Sequence, residues 1–151
     1  MHRSDDILVS ALLKLLRFLN DPRQDRRLLA EAGLDLDPAF LPLLVRLGAE
    51  GPAGVVELSG PLGRDHSTVS RQLARLEAAG LVARSASAAD GRVRTACVTP
   101  RGEAAVAAIV AARRRVLDHV LAGWTVEERE TLSRLLARFA DALTATAAPR
   151  R

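Results

Sequence analysis

The chain has 151 residues, 48% of them hydrophobic, and its 22 basic against 18 acidic side chains give a net charge of +4. That length and apolar content suit one domain, or one domain with a dimerisation extension, and so small a surplus makes the placement of charge more informative than its total. A single cysteine, Cys97, leaves no intrachain disulfide or cysteine metal cluster to consider, and no uncharged run approaches the roughly 18 residues of a membrane span. Asp5 and Asp6, ahead of the first apolar run, argue against a secretory signal, so the expectation is a cytoplasmic protein without a membrane partner. With Phe18, Phe40, Trp124 and Phe139 as its only aromatic residues, the core must be aliphatic.

Ser4 is expected to cap a first helix, with Asp5 and Asp6 at the positive end of its dipole. Leu8, Leu12, Leu15 and Leu19 follow helical spacing along it. Asn20-Asp21-Pro22 interrupts the helix, and Asp21 as cap with Pro22 as first residue restarts one that ends at Gly33. Asp37-Pro38 opens the next helix by the same logic. Its oily face is Phe40, Leu43, Leu44 and Leu47, and Pro42 is expected to distort its first turns. Gly51-Pro52-Ala53-Gly54 reads as a loop, Val55-Val56-Glu57-Leu58 as the start of a further helix, and Leu62-Gly63-Arg64-Asp65 as a tight turn.

The helix after that turn is the most informative segment. Asp65 is its expected cap. At about 100° per residue, Val69, Leu73 and Leu76 fall on one side, and Ser67, Thr68, Arg71, Ala74 and Arg75 on the other. Short hydroxyls at a helix start can donate to phosphates or touch base edges. Arginine can fork onto a guanine, and alanine lets a helix approach the groove floor. Gly80 stops the helix and Leu81-Val82 starts a strand. Asp90-Gly91 supplies turn chemistry, and Arg92 to Thr99 returns, so residues 81–99 read as a β-hairpin. Helix, tight turn, helix and hairpin in this order suit a winged helix-turn-helix.

Thr99-Pro100 opens a long helix with Val106, Ile109, Val110, Leu117, Val120 and Leu121 as its stripe, ended by Gly123. Thr125-Val126-Glu127-Glu128 is a capping box that opens a last helix carrying Leu132, Leu135, Leu136, Phe139 and Leu143. The fold class is therefore mainly α with a small β-hairpin wing.

Other features read more plainly. Arg113-Arg114-Arg115 is expected to be a solvated or salt-bridged face, His2, His66 and His119 lack metal-ligand spacing, and Cys97 is expected to be a buried or half-buried strand thiol. Trp124 is expected to pack at a dimer junction, with a ligand pocket as the lesser reading. There is no Gly-rich phosphate loop after a strand, no HExxH and no readable nucleophile–base pair. No catalytic residue, metal site or cofactor is assigned.

The run from Leu62 to Gly102 resembles the MarR (multiple-antibiotic-resistance regulator) family. It holds Ser-Thr-Val-Ser-Arg, then Leu-Glu-Ala-Ala-Gly-Leu-Val, an Asp-Gly-Arg wing tip and Val98-Thr99-Pro100-Arg101-Gly102. The resemblance extends by pattern over about residues 5–145. It implies a single unit, with a winged part at about 37–99, dimerisation helices at about 4–33 and 99–145, and a disordered tail at 146–151. It also implies a homodimeric regulator facing double-stranded DNA, with a small-molecule effector of unknown identity. Carried over by residue, it implies that Ser67, Thr68 and Arg71 face bases or adjacent phosphates and that Ser70, Gln72 and Arg75 flank them. Arg92 would enter the minor groove, and Asp90 would hold Arg92 or Arg94 by an ion pair. The chain departs from the pattern at Ser59-Gly60-Pro61, where a short or bent helix is expected, at Asn20-Asp21-Pro22 and at Pro42. It also lacks the first-helix cysteine of oxidant-sensing relatives. Two other readings stay open at this point: a winged-helix protein-interaction module and a non-specific DNA-binding protein.

Overall fold

The computed structural model describes residues 3–86, 91 and 94–147. The described elements are α1 (Arg3–Leu19), α2 (Pro22–Glu31), a 3-10 turn (Pro38–Phe40), α3 (Leu41–Glu50), β1 (Ala53–Gly54), α4 (Val55–Leu62), α5 (His66–Ala78), β2 (Val82–Ala86), β3 (Arg94–Val98), α6 (Pro100–Val120) and α7 (Val126–Ala147). Helices dominate, with one small antiparallel sheet. Contacts divide the chain into two units, residues 1–113 and 114–151.

In the first unit, the Asp-Pro pairs act as the sequence suggests. Asp21 accepts from the Arg23 amide at 3.0 Å and Asp37 from the Ala39 amide at 2.9 Å, each followed by a proline whose missing N–H costs no helical bond. Pro42 is accommodated by a change of helix type: the 3-10 turn ends at Phe40 and α3 starts at Leu41. Pro42 then lies in the first turn of α3, where amides have no helical acceptor. Ser4 does not cap α1, which is already helical at Arg3. The motif's first helix, α4, is short, at eight residues, and runs through Gly60-Pro61. Glu57 accepts from the Gly54 amide at 2.7 Å, and the buried Ser59 donates its hydroxyl to the Val55 carbonyl at 2.6 Å.

The expected loop at Gly51–Gly54 contains a strand. Ala53 pairs with Ala96 and Gly54 with Thr95, so β1 covers the outer edge of β3 and the sheet order is β1-β3-β2. Two residues cannot show a period of two. The pairing is set by β3, about forty positions away in the chain. β2 and β3 form the expected hairpin, in register from Val82 opposite Val98 to Ala86 opposite Arg94.

The core gathers Leu43, Leu44 and Leu47 from α3, Leu58 from α4, Val69, Leu73 and Leu76 from α5, Leu81 and Val82 from the start of the hairpin, and Ile109 from α6. Each such leucine stabilises the fold by about 1.5–3 kcal/mol through burial. The buried residues of α6 are Gly102, Ala105, Ile109 and Ala112, a narrow face that lets the helix lie close to its neighbours. Val110, Leu117 and Val120, counted with the stripe of this helix, are exposed. α1 also leaves its apolar side open: Leu8, Leu15 and Leu19 are exposed, Leu19 by 67%.

The second unit holds the last turns of α6, the turn that follows and α7. The capping box forms as expected, with the Thr125 amide donating to Glu128 at 2.8 Å and the Glu128 amide donating to the Thr125 hydroxyl at 3.2 Å. Arg129 donates to the Leu121 carbonyl at 2.6 Å and pairs with Asp118 at 3.3 Å. Leu135, Leu136 and Leu143 on α7 are exposed.

Candidate nucleic-acid interface

The geometry of α5 follows from its inner face. Val69, Leu73 and Leu76 are buried, which turns Ser67, Arg71, Ala74 and Arg75 outward. Asp65, in extended backbone just before the helix, organises its first turn. One carboxylate oxygen accepts from the Thr68 amide at 2.7 Å and from the Ser67 hydroxyl at 2.6 Å, and the other accepts from the Thr68 hydroxyl at 2.9 Å. The Ser67 hydroxyl, the Thr68 amide and the Thr68 hydroxyl together hold the Asp65 carboxyl well below the usual carboxylate range. It is therefore ionised throughout the physiological range. Arg71 donates to the Thr68 hydroxyl oxygen at 3.3 Å, and the rest of its fork faces solvent.

Two arginines that sequence reasoning did not single out fix this helix in place. Arg64, in the turn, donates through one terminal nitrogen to the Ala39 carbonyl at 2.9 Å and to the Gln72 side-chain oxygen at 2.6 Å. This ties the turn and α5 to the 3-10 segment. Arg84, on β2, donates to the Ser70 carbonyl at 2.9 Å, and its Nε lies 3.7 Å from Glu77. It joins the hairpin to α5. A signal for Arg84 was present. Alternation along β2 puts it on the same side as the buried Val82, and an arginine there needs partners. For Arg64 no local spacing gave a signal, since its acceptor on Ala39 lies 25 positions away.

The end of α5 is locked as well. Gly80 takes a left-handed φ of 71° that stops the helix. The Thr99 hydroxyl donates to the Gly80 carbonyl at 2.6 Å and accepts from the Gly102 amide at 3.1 Å, while the Thr99 amide donates to the Leu81 carbonyl at 3.0 Å. The start of α6 is thus bonded to the segment that leaves α5, which explains why Thr-Pro-Arg-Gly follows the hairpin.

A helix held by its neighbours, with arginines on its open face and a three-stranded wing sheet behind it, is the architecture that comparison with known proteins returns. The MarR family pattern matches residues 38–93. The HTH-type transcriptional regulator YxaD of Bacillus subtilis is 38% identical over 96 residues, which cover 64% of this chain and 67% of that protein. The chain belongs to the MarR family. A MarR family protein from Bacillus stearothermophilus, 28% identical, superposes with a TM-score of 0.78 over 92% of this chain and 97% of its own. MarR of E. coli, 26% identical, superposes with a TM-score of 0.67 over 85% and 95%. As a member of that family, the present chain is an HTH-type, DNA-binding transcriptional regulator, not an enzyme.

Among the residues read from sequence, Ser67, Arg71 and Arg75 share the exposed side of α5, with Thr68 half-buried beside them. Ser70 and Gln72 are half-buried, and each is engaged inside the protein: Ser70 through its carbonyl with Arg84, Gln72 through its side-chain oxygen with Arg64. The two side-chain amide hydrogens of Gln72 remain as donors. Arg94 is exposed at the start of β3. Asp90 and Arg92 lie outside the described residues. Cys97 is half-buried in β3, as its strand position suggests. No group of three or more potential metal ligands occurs among the described residues.

Proposed function

We propose that this regulator binds a specific pseudo-palindromic operator as a homodimer, acts as a repressor, and is released by a small-molecule effector. The observation that carries the reading is the open face of α5, where Arg71 and Arg75 project from a helix that Arg64, Arg84 and Thr99 hold rigidly. Such a face suits a major groove, with half-sites roughly 34–36 Å apart on one side of the duplex. Ser67, Thr68, Ser70, Arg71, Gln72, Arg75 and Arg94 form the contact set in this reading. Arg92 is the minor-groove arginine and Asp90 its support. DNA as partner makes the cytoplasm its workplace, and no helix among the described residues is long and apolar enough to cross a membrane. The effector rests on the family resemblance alone.

The apolar sides of α1 and α7 support the homodimer. Exposed apolar helix sides of this kind mark interaction surfaces. In this reading residues of about 4–33 and 99–145 pair between copies, and the winged part is about 37–99. Leu136 is 51% exposed in one chain. Leu136→Ala is expected to cost more than about 1 kcal/mol and to make the melting temperature more dependent on protein concentration. A loss near zero at every concentration counts against the pairing.

Fluorescence anisotropy on the duplex upstream of the protein's own gene, against a scrambled duplex across a salt series, tests the function. A preference of about a thousand-fold, weakening with salt, supports the reading. Equal, salt-sensitive binding to both duplexes favours a non-specific DNA binder, and no binding at low salt favours a protein-interaction module. Arg71→Ala is expected to cost about 1–3 kcal/mol on the operator and much less on the scrambled duplex. Arg92→Ala is expected to weaken binding most where the flanks are A/T-rich and the minor groove narrow, and flank-independent loss speaks against that role.

A further inference from the structure

The hydrogen bonds around Asp65 have a consequence for which bases the helix reads. An ionised carboxylate has no proton, so in each of its bonds to Ser67 and Thr68 the hydroxyl is the donor. A hydroxyl has one hydrogen. With that hydrogen directed at Asp65, Ser67 and Thr68 offer only lone pairs to a partner outside the protein, and one lone pair of Thr68 already faces Arg71. The negative charge of Asp65 also offsets the positive end of the α5 dipole, which otherwise favours a phosphate. The two hydroxyls of this first turn are therefore acceptors towards an outside partner, with a donor, Arg71, one turn further on.

Building on the proposed reading of α5 as the operator-binding helix, we infer that Asp65 sets base specificity by making Ser67 and Thr68 hydrogen-bond acceptors that recognise an exocyclic amino group of adenine or cytosine in the major groove. These amino groups are the donors that bases present there, whereas guanine and thymine present O6, N7 and O4 as acceptors. Arg71 reads an acceptor edge next to that amino group. A C·G pair offers both on one step. Asp65 is a positioning residue: it acts on the bases through the two hydroxyls.

The test starts from full-length protein and a random duplex library. After selection, each adenine of the recovered half-site is replaced in turn by purine and each cytosine by pyrimidin-2-one, which deletes the amino group alone. One such deletion is expected to weaken wild-type binding about 10-fold or more. In the Ser67→Ala, Thr68→Val double variant the same deletion is expected to matter less than about twofold, because the acceptors are gone. Asp65→Asn keeps one oxygen for the Thr68 amide and the Ser67 hydroxyl but brings an amide hydrogen to the Thr68 hydroxyl, leaving that hydroxyl its own hydrogen for an outside partner. It is expected to shift selection at that position towards guanine or thymine. Wild-type selectivity with no amino deletion that matters overturns this inference and leaves the operator reading standing. An amino dependence that survives in both variants overturns it as well, and Asp65 is then a helix cap alone. A wild-type protein that selects no sequence at all overturns both the inference and the operator reading.

Discussion

Gly102→Ala is expected to destabilise the fold by about 3 kcal/mol or more, seen as a fall in melting temperature on the order of 10 °C. A Cβ at this position overlaps the Leu81 carbonyl oxygen, lies 3.0 Å from its carbon and 3.3 Å from the Val98 side chain. The obstacle is backbone, so no rotamer change relieves it. The Leu81 carbonyl also accepts from the Thr99 amide, so the strain falls on the bonds that lock the end of α5 to the start of α6. Gly123→Ala is the control, since a Cβ there meets nothing within 4 Å. It is expected to change stability by less than about 0.5 kcal/mol. Equal melting temperatures for the two variants would mean that the close approach at Gly102 is not a constraint. In the proposed reading of α5, DNA affinity should fall with stability in Gly102→Ala, because the lock carries the orientation of that helix.

Leu76→Ala is expected to cost about 2–5 kcal/mol, measured by urea unfolding. Leu76 is fully buried beneath α5 and belongs to the cluster that joins that helix to α3 and α6. Removing its side chain leaves a cavity among leucines that are themselves fixed from several elements, so collapse is limited. Ala74, on the open side of the same helix, gives the contrast: Ala74→Ser touches no core residue and is expected to change stability by less than about 0.5 kcal/mol. A small loss for Leu76→Ala would show that α5 rests mainly on its polar ties to Arg64 and Arg84.

The elements were largely legible because their signals are local. Asp21-Pro22, Asp37-Pro38 and Thr125 to Glu128 satisfy or remove helix-start donors within a few residues, so spacing along the chain identifies them. The same holds for the inner face of α5, where Val69, Leu73 and Leu76 follow one period. Where the partner is distant, the reading stopped. The strand at Ala53 exists because β3 offers it an edge, and Arg64 finds Ala39 only when two turns meet in space. On α6 the apolar stripe was visible, but its division between a buried small-residue face and an exposed Val110, Leu117 and Val120 face was not. Hydrophobicity records that a residue prefers to leave water, not which neighbour receives it.

Which residues share the open face of α5 was thus written in the helical period of 66–78 and in the turn chemistry on either side. What those residues can offer depends on contacts across the fold and on hydrogen-bond direction. The carboxylate of Asp65 turns two hydroxyls from donors into acceptors, and Arg64 occupies the carbonyl of Gln72. A hydrogen bond is directional and each hydroxyl has one proton to give. Its chemistry towards a partner is settled only when the folded chain has placed the group that takes that proton.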